Sequence, residues 1–98
     1  MGKKTHVAHV LTPAEAIPLI RRVAFRLARR LPPQVQVDDL IGAGWIGYIQ
    51  ACKRFDPTRG STFEQYAEYR VRGAMLDELR QIDPYGRDTR AWLRKIDA

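Results

Sequence analysis

Residues 37–80 read VDDLIGAGWIGYIQACKRFDPTRGSTFEQYAEYRVRGAMLDELR, and the fold depends on how this run is divided. Asp56-Pro57-Thr58-Arg59-Gly60 punctuates it as a turn and leaves a helical pattern on each side. Asp38 and Asp39 open the first helix, where acidic groups suit the positive end of the dipole. Its pattern continues to about Phe55. Leu40, Gly44, Gly47, Tyr48, Ala51 and Phe55 make one stripe; Ile41, Trp45, Ile49 and Cys52 make a second. Two apolar stripes predict a helix covered on two sides. A domain of this size seldom covers a helix all round, so the spacing predicts something outside the chain on one face. Gly42, Gly44 and Gly47 each weaken a helix by about 1 kcal/mol relative to alanine. Close approach of another helix is the usual reason for small residues at such spacing.

After the turn, Ser61 with Glu64 three residues on reads as a capping box, and a helix is predicted from Thr62 to about Gln81. Phe63, Ala67, Val71, Ala74 or Met75, and Leu79 face inward. Tyr66, Tyr69, Arg70, Arg72 and Gly73 lie toward another side. Rings beside guanidinium groups can stack unpaired bases and hold a phosphate backbone. The two tyrosines also fit half-buried core positions with wet hydroxyls.

Upstream, Thr12-Pro13-Ala14-Glu15 carries a helix start, with Thr12 as N-cap, Pro13 at the first helical position and Glu15 reaching back. Pro18 predicts a break or kink. The main helix then runs to about Arg30, and Pro32-Pro33 stops it. Ile20, Val23, Ala24, Leu27 and Leu31 share one face; Arg21, Arg22, Arg26, Arg29 and Arg30 fall largely elsewhere and read as a solvated outer face. Residues 1–11 read as a flexible N-terminus. Downstream, Asp83-Pro84-Tyr85-Gly86 breaks the helix, and residues 87–98 read as a basic helical extension with Asp88 as a cap. The expected fold is all-α, a compact bundle of three to four helices with its domain in residues 12–82.

At 98 residues there is room for one domain and no second lobe. A net charge of +6, carried mostly by arginine, favours nucleic acid or an acidic partner. Cys52 is the only cysteine, which excludes a disulfide within the chain and fits a reducing cytosol. It reads as a small buried hydrophobe rather than a nucleophile. His6 and His9 lack further ligands for a metal site, and the glycines at 42, 44 and 47 are not followed by the Lys-Ser or Lys-Thr of a phosphate loop. No catalytic constellation, cofactor site, export signal or membrane span is found, and a cytoplasmic, non-enzymatic protein is expected.

These motifs together resemble region 2 of bacterial sigma-70 family initiation factors. The resemblance rests on DDLI-x-x-G-x-I-G, RFDP-x-RG, F-x-x-YA and R-x-RGAMLDELR, in register over about residues 17–82. The last run is similar to the flagellar and sporulation subgroup. The resemblance implies a helical module that binds the clamp helices of the largest subunit of core RNA polymerase, then recognises and melts the minus-ten promoter element on the non-template strand. It places polymerase contact at Asp39, Leu40, Gly42, Ala43, Trp45 and Ile49. It places DNA contact at Phe63, Tyr66, Tyr69, Arg70, Arg72, Gly73 and Arg80, with Tyr66 stacking on a flipped adenine. Gly42 and Ala43 stand where the family commonly has polar residues, and Trp45 where a smaller or polar one is usual. Ser61 replaces an aromatic and Arg70 a tryptophan of housekeeping members. Pro84-Tyr85-Gly86 replaces a segment that usually contains tryptophan. Beside the resemblance two expectations stand, a fragment of a longer factor, which is favoured, or a short protein that has kept one module. The alternative is a sigma-like module that occupies polymerase or an anti-sigma factor without opening DNA.

Overall fold

Thr12 fixes the first helix, α1 (Pro13–Ala28). Its hydroxyl accepts from the Glu15 N–H at 3.2 Å while the Glu15 carboxylate accepts from the Thr12 N–H at 2.9 Å, closing the capping box. Those bonds from Thr12 hold the Glu15 carboxyl below the usual range. The computed structural model describes residues 11–31, 33 and 35–82, with only the backbone of Ile82. The expectations for residues 1–10, for Pro32 and for residues 83–98 lie outside the described residues.

The expected break at Pro18 does not occur: α1 runs through it. Proline removes one N–H and crowds the carbonyl four residues back. Both Pro18 and Ala14 are exposed, so that freed carbonyl faces water on the outer side. The helix closes at Ala28 rather than Arg30, with two tighter bonds after it, Arg30 N–H to Leu27 O and Leu31 N–H to Ala28 O.

The second helix, α2 (Val37–Arg54), opens on Asp38 and Asp39 and closes on Lys53 and Arg54, each end complementing the dipole. A short 3₁₀ turn (Pro57–Arg59) follows, with Asp56 accepting from the Thr58 N–H at 2.9 Å. Gly60 leaves the turn at φ 87°, a conformation that glycine adopts without strain. The last helix, α3 (Phe63–Ile82), is capped one residue later than the Ser61–Glu64 pair suggests. Thr62 accepts from the Gln65 N–H, and Gln65 Oε1 accepts from the Thr62 N–H, both at 3.1 Å. No strand occurs among the described residues, and the expected all-α class holds.

All three helices meet around one core, and α2 against α3 is the most extensive packing. From α1 it takes Leu19, Ile20, Val23 and Leu27; from α2, Leu40, Tyr48 and Ala51; from α3, Phe63, Ala67, Val71, Met75 and Leu79. Of the two candidates for the inner line of α3, Met75 is buried and Ala74 only partly so. Phe63 stacks edge-on with Phe55 and Tyr48, at 5.4 and 6.4 Å between centroids.

Tyr48 ties the start of the fold to its middle. Its hydroxyl donates to the Leu11 carbonyl at 2.5 Å across 37 residues. Burial, then the neighbouring Cys52 thiol, pushes its pKa from 10.0 up to about 12. The fold therefore holds the protonated phenol. Its contribution is complete below pH 10 and is lost as pH rises toward 12. Tyr48→Phe is expected to lower stability at neutral pH by about 1 kcal/mol. Urea unfolding between pH 10 and 12 should show a steeper loss in the wild type than in the variant. Equal losses would assign the alkaline sensitivity to other groups.

Candidate functional site

The outer side of α2 is more ordered than a surplus of apolar residues. Asp39, Gly42, Ile46, Ile49 and Lys53 follow one another at alternating spacings of three and four, and all five are exposed. That spacing makes a narrow straight seam of the kind one helix offers another. Ile46 is 58% and Ile49 49% exposed, the two large apolar side chains of the seam. Gly42 has open space where a side chain would stand.

The seam borders a shallow groove of about 210 Å³ between α2 and α3, lined in part by Ala43, Ile46, Gln50, Arg70, Asp77 and Glu78. Arg70 reaches back across it, donating to Gln50 Oε1 at 2.7 Å, and its Nε is buried with no partner among the described residues. Asp77 pairs with Arg80 along the same helix. The groove thus carries Ala43 and Ile46 beside Gln50 on its α2 wall, and Asp77 and Glu78 beside Arg70 on its α3 wall.

A second, larger cleft of about 440 Å³ opens at the turn, lined by Arg54, Phe55, Asp56, Arg59, Ser61 and Tyr66. Tyr66 is half-buried there, its ring 5.9 Å from that of Phe55 and tilted 39°. Asp56 is committed to the turn. Hydrogen bonds from the Thr58 hydroxyl and N–H hold its carboxyl below the usual range, and Arg59 Nε stands 3.7 Å away. Among the described residues Arg54 has no ion-pair partner. The cleft therefore offers a basic rim around an aromatic wall. Tyr69, 70% exposed, stands three residues along α3, with Gly73 one turn beyond it.

The residues singled out from the sequence divide accordingly. Asp39, Gly42 and Ile49 share the outer seam of α2. Trp45 lies beside the seam and is drawn into the domain by an edge-on contact with Tyr48 at 5.6 Å. Ala43 is 8% exposed, on the wall of the groove. Leu40 and Phe63, at 0 and 1% exposed, are core residues and support the two faces from behind. Tyr66, Tyr69 and Gly73 share one side of α3. Arg80 extends that line toward the C-terminal end of α3, paired with Asp77. Arg72 lies about 100° around the helix from Gly73, on the side nearer Glu68, and Arg70 belongs to the groove instead. Cys52, expected inside, is exposed; it lies on the flank of α2 that carries Trp45, one turn on from Tyr48. Ile46 was not among the expected contacts, although its three-four spacing to Gly42 and Ile49 was there to be read. No cluster of potential metal ligands occurs among the described residues. No helix among them is long and apolar enough to cross a membrane.

Residues 14–85 match the protein family described as Sigma-70 region 2. RNA polymerase sigma factor FliA of Pseudomonas aeruginosa is 53% identical over 66 residues, covering 67% of this chain and 27% of the relative. The protein of the same name from Escherichia coli K12 is 48% identical over 80 residues, 82% of this chain and 34% of the relative. RNA polymerase sigma-D factor of Bacillus subtilis is 38% identical over 82 residues, 84% of this chain and 32% of the relative. The chain thus spans about a third of the length of the curated relatives it matches. No solved structure matches it.

Proposed function

Because the chain belongs to the sigma-70 region 2 family, we propose that it is the promoter-recognition module of a flagellar-type sigma factor, active in transcription initiation and without catalysis of its own. In this reading the α2 seam seats on the clamp helices of core RNA polymerase. The turn cleft and the Tyr66–Tyr69 side of α3 receive the non-template strand of the minus-ten element. Two exposed faces of different chemistry on one α2–α3 pair carry the proposal. One is apolar and helix-shaped; the other is aromatic and basic.

Tyr66 takes the central role. A base turned out of the duplex costs a few kcal/mol of lost stacking, and a cleft walled by an aromatic ring recovers it selectively. Stacking on such a ring contributes about 1–3 kcal/mol per base. Tyr66→Ala is therefore expected to reduce open-complex formation by reconstituted holoenzyme about tenfold or more, read by permanganate reactivity of the minus-ten thymines. Polymerase binding by the variant should stay intact. Unchanged strand opening would remove the melting role.

A second reading is favoured by one observation. Arg70 is turned into the groove, where it donates to Gln50 of α2. A module whose arginine is withdrawn in this way suits a partner-binding role, holding polymerase or an anti-sigma factor without opening DNA. Retention of polymerase in a pull-down with no permanganate signal from the wild-type chain would favour it.

A further inference from the structure

The outer face of α1 carries charge that the reading above does not use. Arg21, Arg22, Arg26, Arg29 and Arg30 are all exposed. Among the described residues Glu68 is the one acidic side chain ion-paired to them, 3.6 Å from Arg22 and 3.9 Å from Arg26. Basic groups in the last turn gain from the helix dipole, which accounts for Arg26, Arg29 and Arg30. It does not account for Arg21 and Arg22 near the middle of the helix. Arg22 and Arg26 stand four apart, a spacing at which like charges repel. Phe25, 45% exposed, stands among them, with the Arg21 guanidinium 5.7 Å from its ring centre. An exposed ring under the Arg21 guanidinium, with Arg29 and Arg30 further along the helix and outside the Glu68 pairs, is the composition of a stacking platform on a phosphate track.

The place of this face matters as much as its charge. Glu68, which holds the Arg22–Arg26 edge of α1, is next to Tyr69 in sequence and one turn before Arg72 on α3. The arginine face of α1 is therefore tied to the Glu68 edge of α3, and Arg72, one turn on, lies between that edge and Tyr69, which stands about 100° around the helix.

We propose that the outer face of α1 is a second binding surface for single-stranded nucleic acid, holding the phosphates of the strand after it leaves α3. This rests on the reading of α3 as a strand-binding face. A single strand fits better than a duplex because only unpaired bases can use Phe25.

Fluorescence anisotropy of the full chain at low salt, with labelled oligothymidine of about 6 and about 20 nucleotides, tests it. The variant is Arg21→Gln/Arg29→Gln/Arg30→Gln, which leaves the Glu68 pairs in place; Phe25→Ala is the second. The triple variant is expected to bind the long oligonucleotide about tenfold more weakly. Its salt slope should fall by about 0.7 for each phosphate contact removed. Binding of the short one, which α3 alone accommodates, should be unchanged. Phe25→Ala should weaken the long oligonucleotide without altering the slope. A control, Tyr66→Ala/Tyr69→Ala, separates the two readings. If it weakens both lengths while the arginine variant weakens neither, the α1 surface is refuted and the α3 reading stands. If it has no effect while the arginine variant weakens the long strand, the α1 surface stands and the α3 reading falls. Three further results would overturn the proposal: no wild-type binding to the long strand, tighter binding of a duplex with the same arginine dependence, or equal binding of polyglutamate with that dependence. The last would assign the face to an acidic protein.

Discussion

Replacing Gly47 by alanine is expected to destabilise the domain by about 2 kcal/mol, although alanine is the better helix former. A Cβ at Gly47 would stand 2.6 Å from the Arg70 carbonyl oxygen and 2.9 Å from Val71 Cα. Both are backbone atoms of α3, so the helices must separate to admit it. Propensity returns about 1 kcal/mol, and overpacking of a tight helix pair costs about 1–3 kcal/mol, with backbone displacement at the upper end. Gly44 provides the comparison. Its Cβ would meet Met75 Cε, the far end of a flexible side chain, at 2.6 Å and Ile20 Cγ2, a methyl on a stiffer branched β-carbon, at 2.8 Å, and no backbone atom of α3. The methionine can swing aside, so Gly44→Ala should cost less. Gly42, with nothing within 4 Å, should gain about 0.5–1 kcal/mol on the same change. Thermal melts should rank Gly42→Ala above wild type, then Gly44→Ala, then Gly47→Ala about 10 °C or more below wild type. A Gly47→Ala protein that melts at or above the wild type would refute the close approach of α2 to α3.

The same three glycines show where sequence reading succeeds and where it stops. Local chemistry announces itself: the Thr12 capping box, the acidic opening of α2 and the Asp56–Gly60 turn depend on neighbours in the chain, and all were legible. So was the buried line of α3, because a four-residue repeat of apolar side chains needs no knowledge of the partner. What depends on the rest of the fold was not. Gly42 and Gly47 look alike in sequence, yet one faces water and the other the backbone of α3. Pro18 looks like a break, but only its outward placement decides that the helix survives. Ser61–Glu64 and Thr62–Gln65 satisfy the same capping pattern, and the path of the chain out of Gly60 selects the second. Arg70 sits beside Tyr69 in the chain but reaches to Gln50 of α2, a pairing that helical periodicity alone does not give. For the candidate site, the aromatic face was legible as a pattern. The exposed seam of α2 runs one position on from the stripe through Ile41 and Trp45, because packing against Tyr48 and the core claims those two side chains.

That displacement leads to the largest functional effect expected. Ile46→Ala/Ile49→Ala should lower affinity for core RNA polymerase by about 30- to 100-fold while leaving the fold intact. The monomer loses little, since both side chains are about half exposed and alanine is the better helix former. In a complex each isoleucine would bury its remaining apolar surface, about 1–1.5 kcal/mol apiece. Two such residues at the centre of a helix-shaped seam account for most of the loss, because binding energy concentrates in a few desolvated anchors. The partner should also be basic where it meets Glu78 on the α3 wall of the groove, whose neighbour Asp77 is already paired with Arg80. Binding of the wild type is therefore expected to weaken with salt, whereas the apolar loss in the double variant should be nearly the same at every salt concentration. Cys52→Ala, on the same helix but off the seam, serves as the control and should bind like the wild type. Titration of core polymerase against each protein, alongside urea unfolding, separates contact from folding. Unchanged affinity in a folded double variant would move the polymerase surface off the seam. A loss in Cys52→Ala of similar size would return it to the stripe through Ile41 and Trp45.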